Sequence, residues 1–291
     1  MGFSGPRFET LMKCDVSVFR KSRWVQALFA LGVLPAVPAC TEFKDGSDSP
    51  PSTTELPNNA MTSAADGPWS CLGKKPLVSP PYELGTTDVT FTIFIADTVT
   101  RQPPGGLLVS ACSPLDIECA RPMADSVPPD ADGFVRVDVP RNFAGFFRVV
   151  SDQTVPAALF IDGAVSADTT AKPMLLIGQG PFQALTQSQG VAIDPSLGHL
   201  LLRAYDCDRA AAPGIRFTSD KGGQPFAFVD SLPVVGQTVT DAQGTGGFLN
   251  VLPGLAVVQS WQASGSGVLT RTASGRVRAG WFTYVDLDAA P

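Results

Sequence analysis

Apolar and polar residues alternate along short segments throughout the chain, and Gly- and Pro-rich turns separate these segments. In "DVTFTIFIAD" (88–97) apolar side chains recur at every second position, and in "GFVRVDVP" (133–140) valines alternate with Arg136 and Asp138. Charged residues make up only 16% of the chain, which contains 28 Gly and 26 Pro. This pattern predicts an all-β fold of two tandem antiparallel β-sandwich domains.

One segment departs from this pattern. "GPFQALTQSQG" (180–190) places Pro181 near a helix start and Gly190 just past its end, with Phe182 and Leu185 on one face. We therefore expect one short helix between the two domains.

Two turn motifs recur in the same order with a nearly constant offset. The Asp and Pro-Gly of "IADTVTRQPPG" reappear 109 positions later in "AYDCDRAAAPG". Asp130 and Gly133 reappear 111 positions later as Asp241 and Gly244. The repetition predicts a duplicated unit; a chance match between turn-rich β-segments is the alternative.

Each half resembles a carboxypeptidase regulatory-like domain, a transthyretin-like β-sandwich. The motifs "PGIRF", "DAQGTGGFLNVLPG" and "LAVVQ" carry the resemblance over residues 198–260. The first half, over 88–150, departs from it where "VPRNF" replaces the usual Pro-Gly. The resemblance implies a sandwich fold and an accessory or binding role without catalysis.

The N-terminus reads as an export signal. "FRKSR" precedes the apolar run "WVQALFALGVLPAVPA" (24–39), which is too short and Pro-containing for a membrane-spanning helix. "VPAC" resembles a bacterial lipobox and predicts lipidation at Cys40, although Pro38 is unusual there. An ordinary signal peptide or an uncleaved anchor are the alternatives, and Met12 is a second candidate start.

These features predict four regions. Residues 1–39 form a signal peptide and residues 40–67 a flexible polar tether. Residues 68–180 form the first sandwich, and residues 181–291 form the short helix and the second sandwich. Thr41 lacks the aspartate that often retains lipoproteins at the inner membrane, which favours the outer membrane or the cell surface.

Four cysteines follow the predicted lipidation site. Cys112 and Cys119 bracket a short loop that a local disulfide would close, which pairs Cys71 with Cys207 by elimination. The other connectivities and free buried thiols remain the alternatives.

Charge argues against a nucleic-acid partner. Residues 1–39 carry five Lys/Arg and two Asp/Glu, which leaves 16 basic and 25 acidic side chains in the remainder. Phosphate binding needs basic clusters, and none follows residue 40.

"YDCDR" (205–209) allows two interpretations. Asp206 and Asp208, with the chain's single histidine at His199, could form a metal site. Alternatively, Asp206 accepts backbone N–H bonds in a turn held by a disulfide. We favour the turn, because Asp97 occupies the equivalent position of the first repeat.

Other patterns for chemistry are incomplete. "PDADG" (129–133) begins like a calcium loop, but Arg141 stands where the bidentate Glu should be. A nucleophilic site requires a base, and His199 is the sole histidine. We therefore predict no catalytic residue, metal or cofactor.

Aromatic residues near the C-terminus are the remaining binding candidates. In "VRAGWFTYVDL" (277–287), alternation places Trp281 towards the core and Phe282 and Tyr284 on the other face. We expect Phe282 and Tyr284 to be partly exposed. Core packing or an inter-domain contact is the favoured role of these aromatic residues, and a ligand-facing surface formed by Phe282 and Tyr284 is the alternative.

Together these features predict an exported, lipid-anchored, non-catalytic binding or structural protein. Its expected partners are the membrane, through the N-terminal lipid, and a polysaccharide or an envelope protein. An extracellular hydrolase, or the accessory domain of one, is the alternative.

Overall fold

The alternation of the sequence becomes an alternation in burial along the first strands. In Asp88–Asp97 the side chains of Val89, Phe91, Ile93 and Ile95 are buried, while the residues between them are more accessible. The structure, a computed structural model, describes residues 67–72, 83–161, 163–230, 232–264 and 267–289. The predicted signal peptide, Cys40 and nearly all of the tether lie outside these residues.

Strands dominate the described chain, which confirms the predicted all-β class. The strands of the first half are β1 (Asp88–Asp97), β2 (Leu108–Cys112), β3 (Ala124–Val127), β4 (Phe134–Pro140), β5 (Phe146–Val150), β6 (Ala157–Phe160), β7 (Thr169–Thr170) and β8 (Met174–Leu176). The helix α1 (Gln179–Ser188) follows, at the position the sequence predicts. The second half contains β9 (Gly198–Tyr205), β10 (Ile215–Ser219), β11 (Gln224–Val229), β12 (Leu232–Val235), β13 (Thr245–Val251), β14 (Gly254–Gln262), β15 (Leu269–Val277) and β16 (Phe282–Asp288).

The two halves share one pattern of strand pairing. In the first half β1 pairs with β4 and, in parallel, with β8, while β5 lies between β2 and β6. In the second half β9 pairs with β13 and, in parallel, with β16, while β14 lies between β10 and β15. Each half is therefore a sandwich of the same topology, as the sequence repeats predict.

The two sandwiches share a sheet. Its nine strands run in the order β12-β11-β13-β9-β16-β6-β5-β2-β3, so it combines one sheet from each sandwich. The junction is a parallel pairing in which Phe282 lies opposite Ala157 and Val285 opposite Phe160. The remaining strands form two smaller sheets, β4-β1-β7 with β8, and β10-β14-β15. The shared sheet contains strands from both sides of residue 180, and the division of the chain into two domains at that residue stays a prediction.

Four of the pairings between described strands are parallel: β1–β7, β1–β8, β6–β16 and β9–β16. The sequence pattern predicted antiparallel sheets only. The difference arises because the chain changes sheets after β15, so that its last strand returns beside the first strand of its sandwich. Parallel neighbours require such a crossover connection.

The two smaller sheets cover opposite faces of the shared sheet. Leu201, Phe282 and Tyr284 belong to the core beneath β1, β4 and α1. Leu200 and Val285, one position away, belong to the core beneath β14 and β15. As a result β9 and β16 are buried on both faces, and their sequences are almost continuously apolar.

Burial on both faces corrects the prediction for Phe282 and Tyr284. These side chains are only 1% and 2% exposed, and the Tyr284 hydroxyl donates a hydrogen bond to the Leu175 carbonyl at 2.7 Å. Trp281, predicted to face the core, is the partly exposed residue. Alternation predicts exposure only where one face of a strand meets solvent, and β16 has no such face.

The end of α1 covers the edge strand β12. The Gln189 amide donates to the Pro233 carbonyl at 2.8 Å, and its oxygen accepts the Val235 N–H at 2.6 Å. This side chain therefore takes the place of a further strand on an edge that exposes Leu232.

Replacing Phe282 by alanine should destabilise the fold by about 3–5 kcal/mol, because the ring fills the core between the two sandwiches. Urea denaturation measures the change in the free energy of unfolding. Leu269→Ala is the matched control: Leu269 is 40% exposed, and its loss should cost less than about 1 kcal/mol. Equal losses in the two variants would contradict a buried Phe282.

Candidate functional site

Both predicted disulfides are present. Cys71 pairs with Cys207 across 136 residues, and Cys112 pairs with Cys119 across 7. The short loop between Cys112 and Cys119 packs on the shared sheet, where both cysteines belong to one buried cluster with Phe146 and Ala158.

The Cys71–Cys207 disulfide attaches the segment Gly67–Leu72 to the second sandwich. The Cys207 N–H donates to the Pro68 carbonyl at 2.8 Å, and the Cys71 N–H donates to the Cys207 Sγ at 3.0 Å. Trp69 packs against the buried cluster that contains Ile215. The bridge is therefore one of several contacts that hold this segment.

The aspartate of "YDCDR" organises a turn. The Asp206 Oδ1 accepts the N–H groups of Asp208 at 3.0 Å and Ala210 at 2.9 Å. The equivalent Asp97 accepts N–H groups from the residues two and three positions further on, at 2.9 and 2.8 Å. This confirms the predicted turn with a disulfide, and its cause is the carboxylate's capacity to satisfy backbone donors.

His199 lies apart from these aspartates, in the core. Its side chain is 1% exposed and packs between the rings of Phe182 and Phe282, with centroids 5.1 and 4.9 Å away. The Nδ1 atom accepts the Asn250 N–H at 3.3 Å. Burial lowers the pKa of His199 to about 4, so the imidazole is neutral at pH 7.

The calcium-like motif is also a turn. The Asp130 Oδ1 accepts the N–H groups of Asp132 and Phe134, while the Gly133 N–H donates to the Asp130 carbonyl. Gly133 adopts a φ of +85°, a conformation that favours glycine. Across the described ranges, no three His, Cys, Asp or Glu residues lie together as metal ligands would.

A partly buried ion pair that was not predicted from the sequence joins β9 and β16. Arg203 and Asp286 are neighbours across these strands, and Arg203 donates to both carboxylate oxygens at 2.6 and 2.8 Å. The sequence contains a signal for this pair, since Arg203 and Asp286 are each a charged residue within a mainly apolar run. The pair links the two parallel strands through a two-fold, charge-assisted hydrogen bond.

A groove that the sequence did not predict lies on the surface of the described residues. It lies where the β10-β14-β15 sheet stops short of the first sandwich and leaves the face of β5 and β6 open. Its deeper part has a volume of about 220 Å³, and a shallower part of about 350 Å³ adjoins it. The groove is lined by three segments: the loop between Cys112 and Cys119, strands β5 and β6, and residues 253–281.

Apolar side chains form most of the groove. Ile117 contributes from the disulfide loop, Phe160 from β6 and Leu255 from β14. The Phe160 ring stacks on Phe146, with centroids 5.1 Å apart. Gly275 lets β15 approach closely here, since a Cβ atom at this position would lie 2.8 Å from Val285.

Two arginines supply the charge of the groove. Arg278 pairs with Glu118, and its guanidinium lies 4.6 Å from the centre of the Trp281 ring. Arg276 lies across the strand pair from Leu255. No hydrogen bond or ion pair joins the Arg276 guanidinium to another residue of the described chain.

Within the described residues, no helix is both long and apolar enough to cross a bilayer.

Removing the Cys71–Cys207 bridge should destabilise the fold more than removing the Cys112–Cys119 bridge. Loop-closure entropy gives about 5 kcal/mol for a 136-residue loop and about 2.5 kcal/mol for a 7-residue loop. Double Cys→Ala variants of each pair, compared by urea denaturation, measure this difference. A smaller loss for the Cys71/Cys207 variant would contradict the entropic account.

The burial of His199 should make stability depend on pH between about 6.5 and 4. The unfolded chain binds a proton near pH 6.5 and the folded chain only near 4, so stability falls as the pH drops through this window, by roughly 3 kcal/mol. The carboxylate of Asp130, whose pKa the Phe134 N–H bond lowers from 3.8, contributes only below about pH 4.

Thermal unfolding of the wild type and of His199→Gln across pH 4–7 tests this dependence. Glutamine does not titrate, so the variant's stability should change much less over that range. Parallel pH profiles for the two proteins would show that another group is responsible.

Comparisons with known proteins leave the family open. No family model matches the chain, and no curated protein sequence matches it significantly. The similar solved structures include the Bacillus anthracis TIE protein, with 10% identity and a TM-score of 0.25 over 70% of this chain. The chain spans only 35% of that protein.

Two further similar structures are pilins. A form of BcpA, the major pilin subunit of Bacillus cereus, has 10% identity and a TM-score of 0.24 over 70% of this chain and 100% of its own. A streptococcal ancillary pilin has 13% identity and a TM-score of 0.23 over 70% of this chain and 69% of its own. Similarities this distant show neither a family nor a function.

Proposed function

We propose that this protein is exported, anchored to the cell surface through a lipid at Cys40, and acts as a non-catalytic binding or structural module. The observation that carries the proposal is the pair of disulfides, Cys71–Cys207 and Cys112–Cys119. Disulfides of this kind persist in oxidising compartments outside the cytoplasm. The "VPAC" sequence at residues 37–40 supplies the lipidation motif.

The Cys71–Cys207 bridge suits an anchored protein. A membrane anchor near residue 40 would transmit any pull through the residues that follow it. Because Cys71 is bonded to the second sandwich, the pull would reach a covalent link before it reached β1. The bridge would then prevent this force from detaching β1 from its sheet.

The non-catalytic part of the proposal rests on the use of the polar groups. The sole histidine is 1% exposed, held by Asn250 and neutral at pH 7, so it is inaccessible to a substrate. Asp97, Asp130 and Asp206 accept backbone N–H bonds that build turns. The hydrogen bonds of these side chains stabilise the fold.

We also propose that each half is a carboxypeptidase regulatory-like domain. The support is the shared strand pairing of the halves and the equivalent aspartates of their turns. A binding or spacer role fits two such domains held rigidly by one sheet.

Mass spectrometry of the mature protein, purified from membranes without reduction, tests the proposal. The expected mass is that of a chain beginning at an acylated Cys40 and lacking four thiol hydrogens. A Cys40→Ser variant should lose the lipid and leave the membrane fraction. An N-terminus elsewhere, or four free thiols, would overturn the anchored or the exported state respectively.

A further inference from the structure

We propose that the groove between the disulfide loop and the β10-β14-β15 sheet binds a peptide segment of a partner protein that presents an apolar side chain beside a carboxylate. This inference rests on the proposed function, since it names the partner class of a binding module.

The first support is the position of a cationic group beside an apolar one. Leu255 and Arg276 lie opposite each other on β14 and β15, so both face the same side of the small sheet. Leu255 is 57% exposed, and no residue of the described chain pairs with the Arg276 guanidinium. A ligand that covered Leu255 would bring its own neighbouring group to Arg276.

The second support is charge complementarity. The groove contains two arginines and one glutamate, Glu118, in a chain whose formal charge is −6. Glu118 pairs with Arg278, which leaves Arg276 to attract an anion. Guanidinium groups bind carboxylates through two parallel hydrogen bonds, and the apolar walls strengthen this interaction.

The lining favours a peptide over a polysaccharide. Among the described residues of the deeper part, only Ser274, Arg276 and Arg278 have polar side chains, and the others are apolar or glycine. Sugars need several hydrogen-bonding side chains for their hydroxyls and an open aromatic face for stacking. Here one face of Trp281 is covered by Arg278, and one face of Phe160 by Phe146. Aliphatic or aromatic side chains suit these walls better.

The groove is also built to keep its shape. One wall is the Cys112–Cys119 loop, closed by a disulfide and joined to the opposite wall through the Glu118–Arg278 pair. The floor belongs to the nine-stranded sheet. A preformed site loses little conformational entropy when an extended peptide binds.

The test uses the full mature chain and an immobilised library of heptapeptides that combine Leu, Ile or Phe with Asp or Glu. The matched library replaces Asp by Asn and Glu by Gln. We expect binding to acidic peptides and at least tenfold weaker binding to their amide counterparts. The tightest peptide, labelled with fluorescein, then gives a Kd by fluorescence anisotropy.

Two variant pairs locate the site. Arg276→Gln should weaken binding by about tenfold, whereas Arg216→Gln, an exposed position on β10 outside the groove, should change it less than twofold. Leu255→Ser should weaken binding, and Leu269→Ser on the adjacent strand should not. Unfolding midpoints check that all four variants fold.

Three results would overturn the inference: no binding by any acidic peptide, equal loss in Arg276→Gln and Arg216→Gln, or binding of polygalacturonate that depends on Arg276 while no peptide binds. The last result would assign the groove to an acidic polysaccharide. None of these results bears on whether the protein is exported or lipidated, because the mass of the mature chain tests those two proposals separately.

Discussion

The parallel pairing of β6 with β16 holds the two sandwiches together. It joins the last strand of the chain to the first sandwich and turns two sheets into one of nine strands. Residues 157–160 and 282–285 pair here although they are far apart in the sequence. Because β16 also pairs with β9, the same strand closes the second sandwich.

This junction explains both the buried strands and the groove. The two smaller sheets lie on opposite faces of the shared sheet, and each covers only its own half. On one face, α1 covers the part of the shared sheet that the β4-β1-β7 sheet leaves open. Phe182 of α1 packs there against Phe282 of β16. On the other face the small disulfide loop covers β5 only in part, and the groove with Leu255 and Arg276 is the space that remains.

The polar side chains that first suggest chemistry are used to build these elements. Asp97 and Asp206 close equivalent turns, and Asp130 closes another. His199 is packed between phenylalanine rings of α1 and β16. The cationic group that we propose meets a ligand is instead Arg276 on β15, in a segment whose sequence has no recognisable motif.

Short-range physics makes the all-β class, the single described helix and the repeated turns predictable from the sequence. Period-two alternation, a proline and glycine at the helix ends, and carboxylates next to unsatisfied N–H groups all act within a few residues. Long-range packing makes the sandwiches share a sheet, buries Phe282 and Tyr284, and places Leu255 and Arg276 in a groove. Those outcomes depend on which face of a strand another sheet covers, and the alternation in a single strand carries no information about its second face.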